Sequence, residues 1–187
     1  MRKIFSRAFV LVGLSVVMAC GGAKKDAKNP STDSGGSGGV VEVGKPAPDL
    51  SIQTLNGKGT VSIQSLSGKI AVIDFWATWC APCRVVVPKL GALQARYGAQ
   101  GLNVLGVSTE DAQDVALFAQ RMDVRYAVAV DKHAQTTRSY GVVSLPTLVV
   151  IDKRGIVRDV AVGYDSSEDA RLESSVRSLL AERAPAD

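Results

Sequence analysis

The stretch that decides the fold is "DFWATWCAPCR", Asp74 to Arg84. It closes a near-continuous apolar run, "KIAVIDFWA", that reads as a strand buried on both faces. That run holds a single acid, Asp74, and ends in two cysteines with two residues between them, Cys80 and Cys83. A helix is predicted next, over about Ala81 to Tyr97, with Leu90, Leu93 and Tyr97 at helical spacing and a kink at Pro88. The thiols therefore stand where a buried strand turns into a helix. At such a start, free backbone N–H groups and the helix dipole favour a thiolate, the species that attacks a disulfide. Pro82 lacks only an N–H that a first helical turn leaves unused.

Working outward, "PDLSIQTL" and "TVSIQSL" alternate apolar and polar residues around Asn56-Gly57, the pattern of a β-hairpin. "LNVLGVST" reads as a second buried strand, followed by a helix capped by Thr109 that buries Val115, Phe118, Ala119 and Met122. A short strand over Ala127–Val130 and a helix over Ala134–Tyr140 come next. "PTLVVID" and "IVRDVAVG" form strands joined by "KRG". A last helix from Ser166 or Ser167 buries Leu172, Val176, Leu179 and Leu180. A hairpin, then βαβαβα, then ββα, describes an α/β sandwich around a mixed sheet.

The N-terminus differs from this domain in composition. Residues 1–19 have the anatomy of an export signal: a basic "MRKIFSR", then a short apolar "AFVLVGLSVVMA". That apolar run is short of the roughly 20 residues a membrane-spanning helix needs. "VMAC", Val17 to Cys20, resembles the lipobox of bacterial lipoproteins, with Met18 a less common occupant. The resemblance implies lipid on Cys20 and an exported protein anchored to a bacterial membrane, facing the periplasm or the cell exterior. Residues 20–43 are rich in Gly, Ser, Lys and Asp and read as a flexible tether; residues 44–187 carry the folded domain. Removing Arg2, Lys3 and Arg7 with the signal takes the formal charge from +4 to +1. So balanced a domain gives no electrostatic ground for nucleic acid binding.

The chain has three cysteines, and only Cys80 and Cys83 fall in the domain. A structural zinc site takes about four ligands, and His133 is the one histidine to add, so no metal is expected. A purely structural disulfide across so short a loop would stabilise little. What remains is a redox pair that needs no other cofactor.

"DFWATWCAPCR" together with "SLPT", Ser144 to Thr147, resembles the thioredoxin superfamily. The lipobox and tether narrow the likeness to membrane-anchored TlpA/ResA-like thiol–disulfide oxidoreductases, over roughly Val43 to Arg183. The resemblance implies a thioredoxin-like sandwich with an extra strand–helix insertion around Val107–Lys132. It implies a cis-proline at Pro146 facing the thiols, and a kink proline at Pro88. It implies that client protein disulfides meet Trp79, Pro82, Leu145 and Pro146, the backbone of Leu145 pairing with the client. A membrane electron donor would recharge the thiols. Asp74 matches the buried acid beneath the active site; burial should raise its pKa and suit it to proton transfer. Trp76 is expected in the core and Trp79 over the thiols, with His133 on the surface. Cytochrome-maturation members often place a Glu three residues after the second cysteine; Val86 stands there, so that specialised role does not follow. Two alternatives fit less well. A peroxidase on this fold uses a different cysteine motif, and a copper chaperone resembles CxxxC with a matching His.

Overall fold

The computed structural model describes residues 41–183. The signal, Cys20 and most of the tether lie outside the described residues. Val41, placed in the tether by composition, is buried and packs with the domain, because an apolar side chain next to a sheet face gains by leaving water.

Seven strands and four helices follow in the predicted order: β1 Ser51–Gln53, β2 Thr60–Ser62, β3 Ile70–Phe75, α1 Cys83–Tyr97, β4 Leu102–Ser108, α2 Ala112–Arg121, β5 Ala127–Val130, α3 Gln135–Ser139, β6 Thr147–Ile151, β7 Val157–Val162 and α4 Ser167–Ala181. The five-stranded sheet runs β5-β4-β3-β6-β7. β3, β4 and β5 are parallel; β6 and β7 are antiparallel to their neighbours. This is the expected mixed sheet in an α/β sandwich.

β3 is central and all six of its residues are buried, which is why its sequence is apolar on both faces. Ile70 and Val72 point into one layer, where Val86, Val87, Leu90 and Leu93 of α1 pack with Val115 of α2 and Val176 and Leu179 of α4. Ala71, Ile73 and Phe75 point into the other, against Leu50, Ile52, Leu66 and Tyr140. Asp74 continues the first series, so its side chain enters the helix layer.

Four local expectations are corrected. The second hairpin arm is a strand for only Thr60–Ser62 and then becomes a 3-10 turn at Gln64–Leu66. There the hydroxyls of Ser62 and Ser65 take each other's backbone N–H, an alternative to strand pairing. Thr109 does not cap α2; Asp111 holds the cap position, with no side-chain bond. The helix expected from Ala81 starts at Cys83, with Pro82 at its cap. The helix expected over Ala134–Tyr140 is the shorter α3, and Ala134 takes a left-handed conformation, φ 50°. Pro88 lies inside α1, and the helix continues through it to Tyr97. The hairpin turn needs a positive φ at Gly57, 71°. Its neighbour Asn56 reaches across to the insertion strand, donating from Nδ2 to the Tyr126 carbonyl at 2.7 Å.

Candidate active site

Cys80 and Cys83 are joined in a disulfide, with Cα atoms 5.3 Å apart. The strand-to-helix junction makes this possible. After β3 the chain turns through Ala77–Pro82, the Cys80 N–H bonding back to the Ala77 carbonyl, and α1 opens at Cys83. The Cys83 N–H donates to Cys80 Sγ at 3.2 Å. A backbone donor aimed at the first sulfur from the helix start is the arrangement that stabilises a thiolate. Cys83 is wholly buried and Cys80 retains 4% exposure, so Cys80 is the more accessible residue of the two.

Around the pair, the structure sorts the predicted residues. The Leu145-Pro146 bond is cis. Pro146 is buried, and its carbonyl accepts from the Gly163 N–H at 2.8 Å. Trp79 is 70% exposed, so its indole stands out into solvent at the loop tip. A cleft of about 240 Å³ runs between Trp79 and Leu145, floored by Phe75, Trp76 and Val107. Pro82 is exposed, and His133 lies exposed in the turn before α3, away from the thiols in sequence. Trp76 is buried, its ring 4.9 Å from that of Phe118. Val86 is buried in the helix layer.

Asp74 is completely buried, and neither of its oxygens has a hydrogen-bond partner. Loss of hydration pushes its pKa up to about 8. An acid that would be ionised in water is thereby held largely protonated at neutral pH.

Glu110 has a place at the site that sequence reading missed. From the β4–α2 loop its two oxygens accept from the Thr78 N–H at 2.6 Å and the Thr78 hydroxyl at 2.7 Å. The Ser108 hydroxyl adds a third bond at 3.1 Å. From the other side, the Arg84 guanidinium donates to the Thr78 carbonyl at 2.8 and 3.2 Å. Thr78 lies two residues before Cys80, so both clamps fix the cysteine loop. The one available signal was position: Glu110 follows the C-terminal end of a parallel strand beside β3, where α/β proteins gather their sites.

Comparison with known proteins agrees with this geometry. Residues 43–160 match the AhpC/TSA family. The chain is 36% identical to the thioredoxin-like protein YneN of Bacillus subtilis over 127 residues, 66% of this chain and 73% of that one. It is 32% identical to the thiol-disulfide oxidoreductase ResA of Bacillus thuringiensis over 141 residues, 74% of this chain and 79% of the other. Among solved structures, a thioredoxin-family thiol:disulfide interchange protein from Chlorobium tepidum superimposes with a TM-score of 0.65 at 30% identity. That match covers 74% of this chain and 98% of the other. The fold, the Cys80–Cys83 pair and these likenesses agree: the chain belongs to the AhpC/TSA family and is a ResA-like thiol–disulfide oxidoreductase of the thioredoxin superfamily.

Proposed function

We propose that the protein works outside the cytoplasm as a membrane-anchored disulfide reductase whose only redox group is the Cys80–Cys83 pair. The observation that carries the site assignment is the Cys83 N–H directed at Cys80 Sγ, next in sequence to Trp79, which lines the cleft shared with Leu145. In the reduced protein the Cys80 thiolate attacks a client disulfide, forming a mixed disulfide and expelling one client thiolate. In the molecules whose Asp74 is ionised, Cys83 then gives its proton to that carboxylate, and its thiolate attacks Cys80 Sγ. The second client thiolate leaves, the Cys80–Cys83 disulfide closes, and two electrons have passed to the client. The proton on Asp74 is available to a departing thiolate.

The client is held by the walls of the cleft. Among the described residues the backbone groups of Leu145 have no partner, which supports pairing with an extended client chain across from Trp79 and Pro82. A membrane electron donor returns two electrons to the disulfide, and lipid on Cys20 keeps the domain near that donor.

Replacing Cys83 with Ser should trap clients as mixed disulfides on Cys80; trapping by Cys80→Ser instead would reverse the assignment. Equilibration with glutathione fixes the direction of flow. A potential near the thioredoxin value of about −270 mV supports reduction, and one near about −120 mV makes the protein an oxidant. Cys20→Ala should abolish lipid labelling while the purified domain still reduces insulin. Labelling that persists would rule out Cys20 as the anchor.

A further inference from the structure

Four buried side-chain atoms in the described residues have no hydrogen-bond partner: both oxygens of Asp74, Nε1 of Trp76 and the hydroxyl of Tyr126. They converge on one place. Trp76 and Tyr126 belong to the same buried layer as Cys80 and Cys83, the layer that Asp74 enters from β3. Asp74 pairs in register with Gly106 of β4. A Cβ on Gly106 would lie 2.7 Å from Trp76 Nε1 and 3.1 Å from the Tyr126 ring. Glycine at that position therefore lets the indole N–H and the phenol close over the sheet beside the carboxyl.

A buried hydroxyl without a partner is destabilising, a penalty that phenylalanine would avoid at nearly the same volume. The side-chain acceptor beside it in this layer is Asp74. When Asp74 is protonated it can donate, and its demand for donors is small. When it takes up the negative charge it accepts only, and needs donors at both oxygens. Tyr126 and Trp76 are the two unpartnered donors beside Gly106, the register partner of Asp74; neither bonds the carboxyl in this structure, so they would supply it across one water or after a small side-chain shift. Burial and the nearby Asp74 charge both raise the Tyr126 pKa, so the phenol keeps its proton.

We propose that Tyr126 is a positioning residue for the acid: its hydroxyl, with the Trp76 N–H, cradles the ionised Asp74 carboxylate and sets the pH at which Asp74 exchanges its proton. The inference rests on the proton-transfer role given to Asp74 above. The titratable groups facing that carboxyl are few. β4 offers Gly106 and β6 offers Leu148, neither titratable. From α1 and its approach come Cys83 and Cys80; from α2 and α4 come the apolar Val115, Phe118, Val176 and Leu179. Tyr97 of α1 is bonded to Glu173, and Lys89 of α1 to Tyr164 and Asp169. The Arg84 guanidinium lies 5.9 Å above the Phe118 ring that packs on Trp76.

The test uses Tyr126→Phe, Asp74→Asn and the double variant. Exchange rate is followed by stopped-flow tryptophan fluorescence from pH 5 to 9, and the Asp74 carboxyl carbon by NMR titration in parallel. Loss of the phenol donor should raise the Asp74 midpoint by about one unit and slow exchange near pH 7 by about tenfold. The rate should recover towards wild type at high pH, and the double variant should be no slower than Asp74→Asn alone. An Asp74 midpoint that does not move in Tyr126→Phe overturns the proposal. So does an equal loss from Tyr126→Phe with and without Asp74. If the NMR midpoint rises while Asp74→Asn reacts at the wild-type rate, the cradle stands and the catalytic reading of Asp74 falls.

Discussion

Asp74 and Asp152 are both almost out of reach of solvent, at 0% and 2% exposure, yet their pKa values move in opposite directions. Asp74 has no hydrogen-bond partner, and desolvation alone pushes it up to about 8. Asp152, in the turn between β6 and β7, feels the same raising effect of burial. Its oxygens accept from the N–H groups of Ile156 at 3.0 Å and Arg154 at 2.8 Å, and from the Arg158 guanidinium at 3.0 Å. Those donors outweigh desolvation and bring the carboxyl below its ordinary range. Low exposure alone therefore does not fix the direction of a carboxyl's shift; the depth of burial and the donors around it both count. The sheet keeps its satisfied acid in a tight turn and its unsatisfied one facing the helix layer that also holds Cys80 and Cys83.

The sharpest way to break this contrast is Asp74→Asn, which keeps the shape and removes the titration. Exchange near pH 7 should slow by about ten- to a hundredfold, with the loss depending on pH through the midpoint near 8. Stability should move the other way. A pKa raised by folding means the folded state holds its proton more tightly. The wild-type domain is therefore favoured most below the ordinary Asp range and loses stability as pH rises from about 4 through 8. At roughly 1.4 kcal/mol per unit, the variant should be more stable than wild type at pH 9 by an amount on the order of a few kcal/mol. Denaturant titrations at pH 5 and 9 measure it. A rate and pH profile matching wild type would make Asp74 structural, like Asp152.

Glu110→Gln comes next in size. Gln accepts at one atom only, so with its oxygen on the Thr78 N–H its amide must donate to the Thr78 hydroxyl, and both bonds lose their charge assistance. The loop before Cys80 should loosen, and exchange should slow by about three- to tenfold, less than the full worth of a charged hydrogen bond because the amide keeps neutral bonds in place. Because Glu110 acts on position rather than on protons, the loss should be uniform from pH 5 to 9. A loss confined to one side of pH 8 would give Glu110 a share in proton transfer.

Much of this was legible in the chain. Local pattern located every strand and helix of the domain, because each element buries a face whose periodicity survives in one dimension. The cysteine pair and Asp74 were legible because each breaks the composition around it, thiols at a helix start and an acid in an apolar run; Pro146 was legible only through the resemblance that "SLPT" carries. Glu110 and Tyr126 were not. Glu110 meets Thr78 across 32 residues, and an acid after a strand looks like any other surface charge. Tyr126 reads as one more core aromatic, and its relation to Asp74 passes through Gly106, where the informative feature is a missing side chain. The failed Thr109 cap has the same root. The loop's polar groups are spent elsewhere, Ser108 and Glu110 on each other and on Thr78.

Val86→Ala tests whether the apolar surroundings of the thiols matter for chemistry or only for packing. Val86 is buried in the layer that holds Cys83. Truncation should cost about 1–3 kcal/mol of stability and change exchange by less than about threefold. A larger rate loss at unchanged stability would give this position a part in the reaction despite its aliphatic side chain.

Asp152→Asn should have the smallest effect on rate and completes the contrast. The Asn carbonyl can still accept from the Arg154 and Ile156 N–H groups, which share Oδ1 in the wild type. Its amide nitrogen would then face Arg158, donor against donor, where Oδ2 now accepts. Arg158 is one-third exposed and has a second partner in Glu182, which limits the damage to about 1–2 kcal/mol. The pH dependence should be the reverse of that at Asp74. A carboxyl whose pKa folding lowers contributes stability above the ordinary Asp range and loses it as pH falls below about 4. Both pairs should therefore converge in acid and part as pH rises, wild type being the more stable against Asp152→Asn and the less stable against Asp74→Asn. Exchange by Asp152→Asn should stay within about twofold of wild type, since the turn lies at the far end of β6 from Pro146. A rate that falls with Asp152 as far as it falls with Asp74 would mean that the sheet transmits charge from one end to the other, and the division between a satisfied structural acid and an unsatisfied reactive one would fail.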